Sequence, residues 1–213
     1  MQSGSSNIAC ITAMRVAFVC LFLVSKMTYA QSVAVIAPDV ALCGACHGMR
    51  GEGQPAGGAR LAGQNADYLA HALSMFKAGT RKSAIMRPIA AGLSDAQMRA
   101  LAVHFSQQQA PVPASGTAFS PALVSRGRQL AEAGAANFAP CFSCHGAKGQ
   151  GVGARFPGIT GQPAQFVIAR IHEFQARARN AAPKPGTMTA VAAMMSESQT
   201  RAAAAYLSQP GGA

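Results

Sequence analysis

The apolar positions of this chain follow the same succession twice. In Tyr68–Phe76 (YLAHALSMF) and again in Phe166–Phe174 (FVIARIHEF), hydrophobic residues recur three and four apart, the spacing of one helix face. This periodicity predicts helices over Asp67–Lys77 and Gln165–Ala178. Ser94-Asp95 and Ser196-Glu197 supply side-chain oxygens suited to capping helix starts, which predicts helices over Ala96–Ser106 and Ser198–Leu207. Ala122–Ala133 reads as a further helix. Its counterpart, Val33–Leu42, is short and contains Pro38, so the opening helix of the first half is expected to be abbreviated. No segment alternates apolar and polar residues as a strand would. The expected fold class is all-α.

Laid over each other, the halves coincide. CGACHG at Cys43–Gly48 matches CFSCHG at Cys141–Gly146, and Leu61–Gln64 matches Ile159–Gln162, at the same offset of 98 residues as the two apolar helices. Met86–Gln97 (MRPIAAGLSDAQ) matches Met188–Gln199 (MTAVAAMMSESQ) at an offset of 102. The second half therefore holds four extra residues within Ala176–Thr187, a stretch that includes Pro183 and Pro185. Pro, Ser and Gly dominate Ala110–Ser120 (APVPASGTAFS), the mark of a connector. Two modules are expected, at residues 31–110 and 121–213, joined by a linker at 111–120.

Val16–Val24 is a nine-residue apolar run preceded by Arg15 and followed by Thr28-Tyr29-Ala30. This is the plan of a secretory signal peptide over residues 1–30, cut near Ala30. It places the mature chain in the periplasm. An uncleaved anchor is the alternative, but the run is short of the ~20 apolar residues of a membrane span. Met14 is an alternative start. Cys10 and Cys20 leave with the signal, and Cys43, Cys46, Cys141 and Cys144 remain.

Composition adds two constraints. Charged residues make up 12% of the chain, there is no Trp, and 22 Gly and 12 Pro thin the available core. A cofactor is a natural filling for two such modules. Without residues 1–30 the chain keeps 16 basic and 7 acidic residues, a net charge of +9. Such a surface suits an acidic partner or an anionic membrane surface. Nucleic acid is not expected, because the basic residues are scattered and aromatics are few.

The chemistry lies in the repeated C-x-x-C-H, the attachment signal for c-type haem. The thiols of Cys43 and Cys46, and of Cys141 and Cys144, would add to haem vinyl groups as thioethers. His47 and His145 would sit under the iron as proximal ligands. A redox C-x-x-C, half of a zinc site or a disulfide framework is the alternative. None of them accounts for a histidine after each pair. For the opposite axial position the repeat singles out Met86 and Met188, which are equivalent. His71, His104 and His172 have no histidine counterpart and read as surface or packing residues. Met75, Met98, Met194 and Met195 read as core filler. His/Met ligation raises the reduction potential and closes both axial positions, which favours electron transfer over substrate chemistry. Pro157 stands twelve residues after His145, where its carbonyl could hold the imidazole, and Ala59 holds the same place in the first half. Gly63 and Gly161 serve either a turn or a close approach to the porphyrin.

In combination, the paired CxxCHG motifs, the FPGITGQ segment, the YLAHALSMF-like helix and MRPIAAGLSD resemble cytochrome c4 and its relatives, among them diheme subunits of flavin dehydrogenases. The resemblance runs from about Leu42 to Leu207. It implies two tandem class I cytochrome c folds, each wrapped around one covalently bound haem c. The first haem takes Cys43, Cys46, His47 and Met86, and the second Cys141, Cys144, His145 and Met188. Ala59 in place of proline, the abbreviated first helix and His104 in place of tyrosine depart from the family pattern.

The function expected is that of a periplasmic diheme electron carrier, not an enzyme, working between redox partners of a respiratory chain. Redox proteins with acidic docking surfaces, including a membrane oxidase or a dehydrogenase, are the expected partners. Arg81, Lys82 and Arg87, with Arg170, Arg177, Arg179 and Lys184 in the second half, form the candidate docking rim. A dedicated subunit of a dehydrogenase is the chief alternative. A diheme enzyme such as a peroxidase would need an open iron, and a haem-based sensor would need a signalling domain.

Overall fold

Helix capping sets the boundaries of this fold. In the computed structural model, which describes residues 40–113 and 118–210, residues 40–47 are helical and are termed α1. The signal region, all but the end of Val33–Leu42 and part of the linker lie outside the described residues. Asn65 accepts from the Tyr68 N–H at 3.0 Å and starts α2, Ala66–Lys77. The short α3, Met86–Ala91, and then α4, Asp95–Ser106, complete the first half. The second half repeats the order as α5, Pro121–Glu132; α6, Cys141–His145; α7, Ala164–Asn180; α8, Met188–Met194; and α9, Glu197–Leu207. Among the described residues the only β-type pairings are isolated bridges.

Both expected serine caps are present, each within a full capping box. Ser94 accepts from Gln97 N–H while the Gln97 side chain returns to the Ser94 N–H, and Ser196 and Gln199 do the same. Two otherwise orphaned donors are thereby satisfied at each helix start. The buried faces also repeat. Met98, Leu101, Ala102 and Phe105 of α4 are buried, as are Thr200, Ala203, Ala204 and Leu207 at the same offset of 102 in α9. The four extra residues of the second half largely lengthen α7, which has 17 residues against 12 in α2.

α5 packs against α9, and α2 against α4, while α3 and α8 pack on α2 and α7. The second half buries a core of Leu130, Ala131, Phe138, Val167, Ile171 and the small residues of α9. Tyr206 of α9 reaches Glu132 of α5 at 3.4 Å, whereas His104, at its place in the first half, packs edge-on against Phe105. Both halves lie within one compact unit, Val40–Ala213.

α5 and α9 approach closely at Gly127, where an added Cβ would lie 2.0 Å from the Ala202 carbonyl oxygen. The obstacle is backbone, so α5 and α9 must separate to accept any side chain. Gly127→Ala is expected to destabilise the holoprotein by about 1–3 kcal/mol, the usual cost of overpacking a tight site. Thermal unfolding against wild type measures it, and an unchanged midpoint would contradict this packing.

Candidate functional site

The cysteines and histidines of both motifs end short helices. Cys43, Cys46 and His47 stand at the end of α1, and Cys141, Cys144 and His145 make up most of α6. Residues three and four apart share a helix face, so two thiols and an imidazole lie together on one side. In each half the first cysteine is partly buried and the second exposed. Burial pushes the Cys141 thiol up to about 11. Gly146, at φ +78°, stops α6 immediately after the histidine.

A loop then returns to each histidine. The Gly53 N–H donates to the His47 carbonyl at 2.8 Å, and the Gly151 N–H to that of His145 at 2.7 Å. His47 Nδ1 lies 2.7 Å from the Ala59 carbonyl oxygen, and His145 Nδ1 lies 2.7 Å from that of Pro157. A carbonyl can only accept, so Nδ1 carries the proton in both rings. Burial lowers the pKa of both imidazoles and favours their neutral form. The lone pair is left on Nε2, which is how a histidine is presented to a metal. Phe156 adds an edge-on contact to the His145 ring at 6.2 Å, and Gly58 stands at its place in the first half.

Met86 and Met188 are each the first residue of a short helix, partly buried. The Met86 N–H donates to Ser83 Oγ at 3.0 Å, and Thr187 caps the helix that Met188 opens. His71 is exposed, His104 packs edge-on against Phe105, and His172 pairs with Glu197. Among the described residues no three His, Cys, Asp or Glu side chains are arranged closely enough to hold a metal ion by themselves. Met98 and Met195 are core residues as expected, but Met194 is 50% exposed at the end of α8. Gly63 and Gly161, both at φ +73°, form equivalent turns.

Three arginines of the expected docking rim are less open than a count of charges suggests: Arg81 is buried, and Arg170 and Arg177 are partly buried. Arg81 is 7% exposed, with its guanidinium 4.5 Å from the Phe76 ring centroid and its Nε buried with no hydrogen-bond partner among the described residues. Arg170 lies over Phe174 and pairs with Glu173, which also holds Arg177. An aromatic ring four or five residues away, or an acid three or four away, draws each cation inward. Lys82, Arg87, Arg179 and Lys184 are exposed.

Sequence reasoning noticed Gln64 and Gln162 only as matched letters. Both are buried, at 6% and 5% exposure, and both cross between the halves. Gln64 exchanges two hydrogen bonds with the backbone of Gly158, and Gln162 two with the backbone of Arg60. The available signal was a Gly-Gln pair recurring at the same place in each half, Gly63-Gln64 and Gly161-Gln162.

Two helical halves, each ending a helix in C-x-x-C-H over an imidazole held by a downstream carbonyl, define a tandem haem-protein architecture. The Cytochrome c family model matches residues 39–110 and again 131–210, and the chain belongs to that family. It is 38% identical, over 83% of its length and 82% of the relative's, to the thiosulfate dehydrogenase electron acceptor of Thiomonas intermedia (strain K12). The structure of reduced recombinant cytochrome c4 from Pseudomonas stutzeri aligns with TM-score 0.70 and 31% identity, covering 81% of this chain and 95% of that one. Thiosulfate dehydrogenase TsdBA from Marichromatium purpuratum, in its as-isolated form, aligns with TM-score 0.68 and 34% identity over 79% of this chain, which spans 36% of that longer one.

The fold is therefore a pair of class I cytochrome c folds of the cytochrome c4 kind. The protein carries two covalently bound haem c groups and transfers electrons.

The histidine loop is sensitive at Gly151, whose φ is +92° and whose added Cβ would lie 2.5 Å from the Gly158 nitrogen. Gly153, at φ +57°, has open space there. Gly151→Ala is expected to lose about 2 kcal/mol more than Gly153→Ala, since a clash with backbone is added to the strain both share. Thermal unfolding of the two holoproteins compares them, and equal losses would contradict this loop geometry.

Proposed function

We propose that the chain works in the periplasm as a diheme carrier. It takes electrons from one redox protein and passes them to another in a respiratory chain. Cys43, Cys46, His47 and Met86 hold the first haem, and Cys141, Cys144, His145 and Met188 the second. The observation that carries this reading is the duplicated cradle, in which each imidazole bonds at 2.7 Å to a carbonyl twelve residues on. The residues fit the group: two thiols for the vinyls, a neutral imidazole with Nε2 available, and a soft thioether for the other side. The unpartnered, buried Arg81 Nε is a donor suited to a propionate carboxylate.

Bound haem supplies the one-electron iron couple. The chain's own residues orient it, exclude water and set its potential. Ala59 and Pro157 keep their histidines in one tautomer and one plane, so little rearrangement accompanies electron gain or loss. The methionines exclude exogenous ligands, which keeps the iron to electron transfer.

A second reading has a specific observation behind it, the 38% identity to a thiosulfate dehydrogenase electron acceptor. On that reading the chain is the dedicated acceptor of a dehydrogenase acting on an inorganic sulfur compound.

Met86→Ala and Met188→Ala are each expected to open one iron to small ligands and to lower its potential. The Met–Fe(III) absorption band should halve in each variant and vanish in the double variant. Loss of the band in Met194→Ala or Met195→Ala instead would show that the second methionine is misassigned.

The exposed Lys82, Arg87, Arg179 and Lys184 would steer an acidic partner by long-range attraction, screened over a Debye length of about 10 Å at 0.1 M salt. The bimolecular electron-transfer rate with a physiological partner is expected to fall as ionic strength rises. Lys184→Glu with Arg179→Glu should flatten that slope. A rate indifferent to salt would favour the permanently bound subunit.

A further inference from the structure

Each of the two buried glutamines touches the loop of the other half. Gln162 Oε1 accepts from the Arg60 N–H at 3.0 Å, and its Nε2 donates to the Arg60 carbonyl at 3.0 Å. Gln64 does the same to Gly158, with Oε1 accepting at 3.0 Å and Nε2 donating at 2.6 Å. Two residues exchanging both bonds is the pairing of an antiparallel ladder. A side-chain amide imitates a peptide well enough to make it. Flipping either amide would break both of its bonds, so the orientation is fixed. Arg60 and Gly158 are equivalent at the offset of 98, as are Gln64 and Gln162. The duplication has thus produced two reciprocal clamps.

What the clamps hold matters more than that they join the halves. Arg60 directly follows Ala59, and Gly158 directly follows Pro157. Ala59 and Pro157 are the residues whose carbonyls bind His47 and His145. The Arg60 N–H lies in the same planar peptide as the Ala59 carbonyl, and the Gly158 N–H in that of Pro157, so the bond each glutamine accepts fixes the plane that carries the carbonyl, and the bond it donates fixes the next peptide along. The glutamines are anchored in turn. The Gly63 N–H donates to the Phe105 carbonyl in α4, and the Gly161 N–H to the Leu207 carbonyl in α9.

We infer that Gln162 is a positioning residue for His47, and Gln64 for His145, so that each half sets the axial histidine geometry of the other. The inference rests on the proposal that these histidines are the proximal ligands. A histidine whose Nδ1–H is held firmly by a carbonyl is the stronger electron donor to its metal. Loosening a clamp weakens that bond, favours reduced iron and raises the potential of the haem in the opposite half.

The test uses the complete diheme protein. Gln162→Met and Gln64→Met keep side-chain length and remove the amide. Gln162→Asn and Gln64→Asn, one methylene short of reaching, serve where a Met variant does not fold. Proton NMR of the reduced protein follows exchange of the two histidine Nδ1 protons, and a redox titration gives both midpoints. Gln162→Met should raise the midpoint of the first haem and speed exchange of the His47 proton about tenfold or more, as expected when two ordinary hydrogen bonds are lost. The second haem should be unmoved, and Gln64→Met should give the mirror result. A shift confined to the half that carries the substitution, an equal shift of both haems, or no shift would overturn the inference. His47→Ala and His145→Ala report separately on the underlying proposal: if neither disturbs a haem spectrum, the ligand assignment itself fails, whatever the glutamines do.

Discussion

A hydrogen bond from a histidine ring to a carbonyl twelve residues downstream organises this molecule. Burial favours the neutral imidazole, which has one donor and one acceptor nitrogen. Binding the donor to Ala59 or Pro157 decides which nitrogen faces the other way. The surrounding features serve that choice. A left-handed glycine ends α6 just after the histidine, the loop closes back through Gly151, and the GQ turn leans on the last helix. The helices are the frame, and the chemistry lies in the loops they hold still.

The halves share this plan and differ in its stiffness. Pro157 carries its carbonyl on a ring-constrained residue, whereas Ala59 relies on its neighbours. One neighbour, Arg60, is held by Gln162 through its backbone and by the Ala110 and Pro111 carbonyls through its guanidinium. Gly158 has the Gln64 bonds but no side chain to add more. The looser residue thus carries the more heavily tethered neighbour. His145 also has an aromatic edge in Phe156, where the first half has Gly58.

Much of this was legible in the sequence because it is local or repeated. The apolar spacing of α2 and α7, and the serine caps of α4 and α9, depend on residues a few positions apart. The carbonyl positions were found by counting from the motif, since the loop is short enough for spacing to dictate geometry. What escaped depends on which way a side chain turns, or on partners far along the chain. The rings that take Arg81 and Arg170 are only five and four residues away, but a count of charges does not say whether a cation folds back onto a ring or points outward. Met194 looked like core until the short α8 ended there and left it outside. The glutamines were visible as a repeat, but a repeat compares the halves and does not say that they touch.

The contact between α5 and α9 joins the first and last helices of the second half across a whole folding unit. Between them the chain must make the cysteine helix, the histidine loop and the middle helices. Ala202, which Gly127 meets, lies in α9, the last helix among the described residues. α9 thus latches this half twice, against α5 at Ala202 and against the Gly161 turn at Leu207. Whatever displaces that one helix loosens the start of the half and the turn beyond the histidine loop together.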